Sequence, residues 1–562
     1  MANSAIAQYV TFSALVGLLA KPVGLYLLSV FERKQALTRM EQWMYRAAGV
    51  DAEREMTWGQ YARAFLLFSL WGTLFLYAVL RLQWLLPGGP DSAYLTTPMT
   101  PDLAANTALS FATTTTWQAY GGESTLRYWT QLIGLTSQGF LAGGAGLALG
   151  FAFLRGFARA ESSTLGNFWV DVTRAVLYVL LPLALVLALF LVWQGVPMNF
   201  AAYTHITSLE GASQAIAQGP VAALEAIKNL GTNGGGFFNT NGAHPYENPT
   251  RLTNFVELLA IVVVPAGMPY AFGRATGRRA AGWSLFAVMA ILFVGGLLVM
   301  HVAEGLPNAR LASLGIVGGN LEGKETRFGV PGSVLGAVVT SNGATGSYVA
   351  MYDSFSPVGV LVLLTNLLLG EIAFGGLGTG LFSLVMVALV AMFVTGLLVG
   401  RTPEYCGKSL GIQEMKCVAL YTLLVPAVIL PLSALALSLE AGRVGLTTNG
   451  GPHGLTEIVF AYASCAANNG MTMASLSANT PFYNVTLMIS MMVGRFGLAI
   501  LALALAGRLA SRRTRAPTVG AVPSEGGMFV GTVLATGLLV GALTYFPILA
   551  LGPIVEHLMA AR

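Results

Sequence analysis

The stretch GTNGGGFF at residues 231–238 decides how this chain is read. Three glycines in a row follow two short polar side chains, inside a sequence that is otherwise strongly apolar. Glycine lets a backbone come close to a ligand or to another backbone. Three comparable stretches stand elsewhere: TTTTWQAYGG from Thr113, SNGATG from Ser341 and AANNGM from Ala466. They recur roughly every 110–125 residues. Each follows a moderately apolar piece of helix length and lies between two long apolar runs. One such stretch alone reads as a turn rich in glycine and asparagine. Four in matching positions read as an internal repeat in a membrane chain, with the functional site where the repeats meet.

The composition supports that setting. Of 562 residues, 55% are hydrophobic and 10% charged, against about 25% charged in an average soluble domain. No basic segment followed by a small-residue cleavage site opens the chain, so the first apolar run is expected to stay as a helix. Runs long enough to cross a bilayer lie near 8–31, 64–86, 128–153, 175–196, 254–273, 282–302, 356–399, 417–439, 482–507 and 527–551. The seventh is too long for one straight helix and is interrupted at FGGLGTG, 374–380.

Basic residues settle how that segment is counted. Arg33, Lys34, Arg39, Arg46 and Arg54 follow the first run; Arg155, Arg159 and Arg174 the third; Arg274, Arg278 and Arg279 the fifth. Arg401, Lys408 and Lys416 follow the seventh, and Arg508, Arg512, Arg513 and Arg515 the ninth. With ten crossings, these 18 of the 30 basic residues share one side. The positive-inside rule makes that side cytoplasmic and turns both termini outward. Two full crossings in 356–399 would invert the last third, so one crossing with a break is expected. A break at membrane depth is tolerated where the loosened backbone lines a cavity or is buried in protein.

The expected fold is therefore an all-α integral membrane protein of ten transmembrane helices. It holds four helix–pore loop–helix repeats around a pseudo-fourfold axis. The divisions are 1–61 (first helix and loop), 62–172, 173–280, 281–415 (with the broken helix) and 416–515 (the repeats), and 516–562 (last helix). In each repeat a short helix dips in and ends at the glycine stretch, its carbonyl end bearing partial negative charge. The stretch then climbs back with carbonyls turned to the axis, where four loops can replace the hydration shell of a cation. Threonine and asparagine can add side-chain oxygens. No carboxylate occurs in these stretches, which suits a monovalent alkali cation better than a divalent one. The candidate filter residues are Thr115, Thr116, Thr232, Asn233, Gly234, Gly235, Gly343, Ala344, Thr345, Gly346, Asn468, Asn469 and Gly470, with Gly236 beside them.

Other chemistries find little support. Cys406, Cys417 and Cys465 lie far apart, with no CxxC pair, and the five histidines are scattered without an HExxH. Neither a zinc site nor a redox pair is expected. CGKS at 406–409 lacks the glycine that a phosphate loop needs five places earlier, where Thr402 stands. No DKTG phosphorylation motif is present, so the chain is not expected to bind or hydrolyse ATP. GGLGTG lacks the GxGxxG spacing. Lys21, Lys228, Glu257, Glu371 and Arg495 are ionisable residues at membrane depth or beside a short helix. Such groups are costly in a bilayer and generally functional or paired. Lys21 is read as snorkelling to an interface, and Lys228 as complementing its helix dipole.

Longer motifs add a resemblance. NLGTNGGGFFNTNGAHPYENPT (229–250), NLEGKETRFG (320–329), GEIAFGGLGTG (370–380), RTPEYCGK (401–408) and SANTPFYN (477–484) closely resemble the potassium-binding A subunits of the Kdp family of potassium-transporting ATPases. The likeness runs along nearly the whole chain. It implies potassium as the transported ion, taken up from the outer side of a bacterial inner membrane. It also implies delivery through an intramembrane tunnel to the catalytic B subunit, a P-type ATPase. A C subunit, a small F subunit and membrane lipids are the further partners it implies, with no nucleic acid. By the same resemblance Glu371, Gly375, Gly376, Gly378 and Arg495 belong to the gate and tunnel beneath the filter. Two loops depart from the family pattern: threonines stand at 114 and 116 where TNTNW is usual, and GATG at 343–346 replaces GSCG. A gradient-driven potassium transporter or channel of the same superfamily would share the filter. A membrane redox protein would call for histidine pairs or cysteines that this sequence lacks.

Overall fold

A computed structural model describes residues 2–32, 38–87, 94–306, 313–315, 319–347, 349–514 and 522–560. Arg33, Lys34 and Arg515 of the basic clusters lie outside the described residues.

Among the described residues, ten helices are long and apolar enough to cross a membrane: Ala5–Phe31, Trp58–Arg81, Thr130–Ala158, Phe168–Trp193, Arg251–Ala275, Arg279–Gly305, Thr379–Leu398, Ile412–Ser438, Pro481–Ala510 and Gly526–Met559. The count matches the charge-based reading. Local signals start several of them. Thr57 and Gln60 form a capping box before the second span, as do Thr250 and Thr253 before the fifth. Thr480 caps the ninth, with Pro481 at its first position. Each satisfies amide groups that a helix start leaves without partners.

The third and fifth spans form the buried centre, while the tenth lies at the periphery. Small residues permit that centre. A Cβ on Gly150 would stand 2.6 Å from the Cα of Gly378, and one on Gly156 2.6 Å from the Cα of Ala506. Backbones thus pack directly on one another, the usual route to tight helix association in lipid.

The break in the seventh segment begins earlier than the glycine run suggests. The helix Pro357–Leu368 ends at Leu369, and Thr379–Leu398 resumes after residues 369–378. Gly370 and Glu371 adopt φ of +77° and +54°, and the Glu371 amide donates back to the Asn366 carbonyl at 3.1 Å. Phe374 and Gly378 are also left-handed. The glycines therefore close the break rather than open it.

The basic loops gather on one face. Arg159 pairs with Glu55 at 2.7 Å, joining the loops after spans one and three. Lys408 donates to the carbonyls of Arg159 and Arg512 at 2.6 and 2.8 Å, adding the loops after spans seven and nine. Arg512 pairs with Glu414 at 2.8 Å. Within this face Arg155 is buried and held by Asp171 at 2.6 Å and Glu32 at 2.9 Å. An even number of crossings between these loops requires this arrangement.

Candidate ion-binding site

Four short helices point into the molecule: Pro101–Ala112, Val221–Leu230, Gly329–Asn342 and Gly451–Ala467. Each ends at one of the four recurring stretches. At three of these ends the amides fold back in the same way. Thr115 and Thr116 donate to the Ser110 carbonyl, Asn233 and Gly234 to that of Lys228, and Asn469 to that of Ser464. The third loop lacks this pattern and keeps only the last helical bond, Gly343 to Val339 at 2.8 Å, which Thr113 to Leu109 and Gly231 to Ile227 also make. An amide turned back toward its helix leaves the carbonyls of the loop facing elsewhere.

The backbone of all four loops alternates in hand. Thr114 and Thr116, Thr232 and Gly234, Ala344 and Gly346, and Asn468 and Gly470 have φ between +47° and +87°. The residues between them, Thr115, Asn233, Thr345 and Asn469, do not. Non-glycine residues visit the left-handed region rarely, and β-branched ones least. Five such non-glycine positions in one small volume, three of them threonine, mark a constrained site.

These loops close on one another in a cycle. The Thr116 hydroxyl donates to the Asn233 carbonyl. A Cβ on Gly234 would land on the Thr345 carbonyl, and one on Gly346 would stand 2.5 Å from the Asn469 carbonyl. A Cβ on Gly470 would land on the Thr115 carbonyl. The residue after each central position thus faces the central carbonyl of the next loop, round to the first. Only glycine, or in one case a threonine hydroxyl, fits there. Gly235 continues the second loop in the left-handed region, and Gly343 precedes the third. Gly236 lies beyond the cycle, where its amide donates to Gln118 Oε1 at 2.8 Å.

Most side chains that looked like extra ligands are engaged elsewhere, although Asn233 Oδ1 is buried without a hydrogen-bond partner. Asn233 Nδ2 donates to the Gly139 carbonyl behind the loop, at 2.8 Å. Thr232 Oγ1 accepts the Leu377 amide at 3.1 Å. Thr115 Oγ1 bonds to Thr113 and accepts from Asn468 Nδ2 at 3.0 Å. Thr345 Oγ1 donates to the Gly343 carbonyl, and Asn469 Nδ2 to Thr340 and Glu371 at 2.7 Å each. What the arrangement offers at its centre is peptide oxygen.

The broken seventh segment sits against this cycle. Leu377 bonds to Thr232, Glu371 to Asn469, and a Cβ on Gly376 would touch Ala344 at 2.8 Å. Gly378 packs on Gly150, and Gly375 folds over the Glu371 carbonyl. A cavity of about 120 Å³ is lined by Glu371, Asn468 and Arg495. A second, of about 750 Å³, is lined by Trp117, Gln118, Asn241 and Gly470. Arg495 lies in a π-helical turn, Val493–Gly497, of a kind that recurs at functional sites. It is buried, donates to the Ala142 carbonyl at 3.3 Å, and makes no ion pair among the described residues. No ion pair joins Glu371 to Arg495.

Sequence reasoning missed the carboxylate that shapes the second loop. Buried Glu247 accepts the amides of Phe237, Phe238 and Gly242 at 2.6, 3.1 and 2.7 Å. Its place in HPYENP, just after the glycines, was the available signal. Lys228 proves to be paired with Glu225 at 2.7 Å, both fully buried, so its partner is a side chain and not only the helix dipole. Glu257 is buried with one carboxyl oxygen unpartnered, and Lys21 is exposed.

Comparison with known proteins bears on the fold and the family. The chain resembles in fold the potassium transporter TrkH from Vibrio parahaemolyticus, with a TM-score of 0.53 over 88% of this chain and 95% of that one, at 15% identity. The potassium-transporting ATPase potassium-binding subunit of Methylobacterium nodulans is 50% identical over 560 residues, covering 99% of this chain and 97% of that protein. The protein of the same name from Rhodopseudomonas palustris is 49% identical over 561 residues, covering 99% and 98%. Residues 10–558 match the family described as KdpA, potassium-transporting ATPase A subunit, and the chain belongs to that family.

Proposed function

We propose that the four-loop cycle is a potassium filter and that this chain feeds an ATP-driven uptake pump. The observation that carries the reading is the closed ring of Thr115, Asn233, Thr345 and Asn469 carbonyls, each abutted by the preceding loop. Neutral peptide oxygens held at fixed positions substitute for the water around a dehydrated monovalent cation. The filter takes in Thr115, Thr116, Thr232, Asn233, Gly234, Gly235, Gly343 to Gly346, and Asn468 to Gly470. Potassium enters from the face opposite the basic loops, which is the outer side of a bacterial inner membrane, and both termini lie on that outer side. Each pore loop belongs to one of four repeats, at 62–172, 173–280, 281–415 and 416–515.

Beyond the ring the ion meets the cavity lined by Glu371 and Arg495. Glu371 attracts it at the start of a lateral tunnel, Gly375, Gly376 and Gly378 keep the broken segment thin, and Arg495 blocks the straight path to the cytoplasm. The tunnel ends at a separate P-type ATPase, the catalytic B subunit, which supplies hydrolysis; a C subunit and a small F subunit complete the assembly. This chain binds no ATP. Purification from native membranes tests the reading. Co-purification with a P-type ATPase whose hydrolysis rises with potassium supports it. An isolated chain that conducts potassium in liposomes, with no ATPase partner, refutes it.

A further inference from the structure

Two side chains of the helix Gly451–Ala467 meet a third from a distant part of the chain at the start of that helix. His453 Nε2 lies 3.8 Å from Asp353 Oδ1 and 3.7 Å from Glu457 Oε1. These separations are too long for hydrogen bonds, and the three donor atoms lie within 4.8 Å of one another. His453 Nε2, Asp353 Oδ1 and Glu457 Oε2 have no hydrogen-bond partner, whereas Glu457 Oε1, the oxygen 3.7 Å from the imidazole, accepts from Asn449 Nδ2. The Glu457 side chain is fully buried and that of Asp353 is 9% exposed. Buried carboxylate oxygens without partners are costly, so the cluster as it stands is short of positive charge or of donors.

We propose that His453, Asp353 and Glu457 form a binding site for a divalent transition-metal ion of the zinc class, separate from the potassium path. Four features converge on it. The other imidazole nitrogen, Nδ1, is bonded to Glu556 Oε1 at 2.8 Å, the carboxylate–histidine arrangement that leaves Nε2 free to ligate. His453 and Glu457 stand four apart on one helix and so share a face. Asp353 is aimed by the Ser475 amide, which bonds Oδ2 at 3.0 Å and leaves Oδ1 toward the histidine. The separations of 3.7 and 3.8 Å are close to the ~3.3–3.6 Å between ligands around a tetrahedral ion with bonds of ~2.0–2.2 Å.

Donor chemistry fixes the class. An imidazole with two carboxylates suits zinc and its neighbours better than magnesium or calcium, which prefer oxygen alone. A cavity of about 1230 Å³ lined by Asp353, His453 and Glu556 gives entry and room for a water as fourth ligand. The rival occupant is a proton. Burial pushes the His453 imidazole pKa down, but Asp353 and Glu556 outweigh that and raise it to about 10, so an imidazolium salt link is the alternative to a metal.

The full chain, purified with its accompanying subunits on a tag free of histidine and stripped with chelator, is titrated with zinc chloride against a fluorescent chelator. One zinc per chain is expected. Its affinity should fall at least about tenfold in His453→Gln and in Asp353→Asn, and stay unchanged in His205→Gln, whose imidazole bonds to Tyr94. Glu457→Gln gives a third reading should either variant fail to fold. Zinc bound no more tightly by the natural chain than by His453→Gln overturns the proposal and leaves the salt link.

Discussion

Replacing Gly234 by alanine tests the filter with the smallest perturbation available. Its φ of +82° costs an L-residue about 1–2 kcal/mol. The added methyl would also land on the Thr345 carbonyl, so that oxygen must move. In a rigid ring a displaced ligand loses contact with the ion, and both effects act in the same direction. A loss of at least about 1.4 kcal/mol in potassium binding, tenfold in affinity, is expected. Discrimination against sodium should fall with it, because a distorted ring no longer holds one preferred radius. The assay is potassium- and rubidium-dependent transport with sodium competition, in protein shown monodisperse by gel filtration. Gly295→Ala is the control, since a Cβ there meets nothing within 4 Å. Gly470→Ala should match Gly234→Ala, as it intrudes on the Thr115 carbonyl in the same manner. Unaltered half-saturation and sodium competition in both variants would refute the ring.

Further outcomes follow from the same structure. Thr116→Gly should leave thermal stability within about 1 kcal/mol, because relief of a left-handed threonine offsets loss of the hydroxyl bond to Asn233; melting in detergent measures it. Asp171→Asn should destabilise by about 1.5–3 kcal/mol, since it removes one of the two carboxylates that hold the buried Arg155 and leaves Glu32 as the other; the fraction recovered as folded protein reports it. Hydrogen bonding from Arg159 holds the Glu55 carboxyl below its usual range, against a lesser effect of burial, and Thr164 helps. Its stabilisation is present above the unfolded carboxylate value and disappears as pH falls through the lower folded one. Glu55→Gln should therefore lower stability at neutral and alkaline pH, converge with the natural chain at low pH and so flatten the acid limb; melting temperature followed against pH checks it.

Much of the fold could be read because the bilayer imposes length and sidedness. Basic residues in alternate loops gave ten crossings and turned the seventh segment into one broken span. The four loops could be found because glycine and small polar residues mark a bare backbone. Handedness was harder to see. Gly234, Gly346 and Gly470 advertise a left-handed position, but Thr114, Thr116, Thr232 and Ala344 occupy the same region without any residue-type signal. Side-chain direction was also hidden: the Asn233 amide nitrogen turns away from the ring to brace the Gly139 carbonyl. The break was misplaced by five residues because Glu371, not a glycine, takes one of its left-handed positions. Partners far apart in sequence, such as Asp353 and His453, meet only through tertiary packing.

The inequality of the four loops bears on direction. The broken segment touches the second, third and fourth loops through Thr232, Ala344 and Asn469. Glu371 therefore approaches the ring off-centre. Arg495 lies across the same cavity with no counter-ion among the described residues, so its field is not cancelled locally. A like charge ~8 Å away costs a cation ~2 kcal/mol at an effective dielectric constant of ~20, about thirtyfold in occupancy. That is enough to bias an ion leaving the ring sideways without altering how the ring binds it. Arg495→Gln should consequently leave potassium half-saturation unchanged while raising passive leak, whereas Gly234→Ala should do the reverse. If Arg495→Gln weakens potassium binding and adds no leak, the arginine supports the filter and the diversion is not its work.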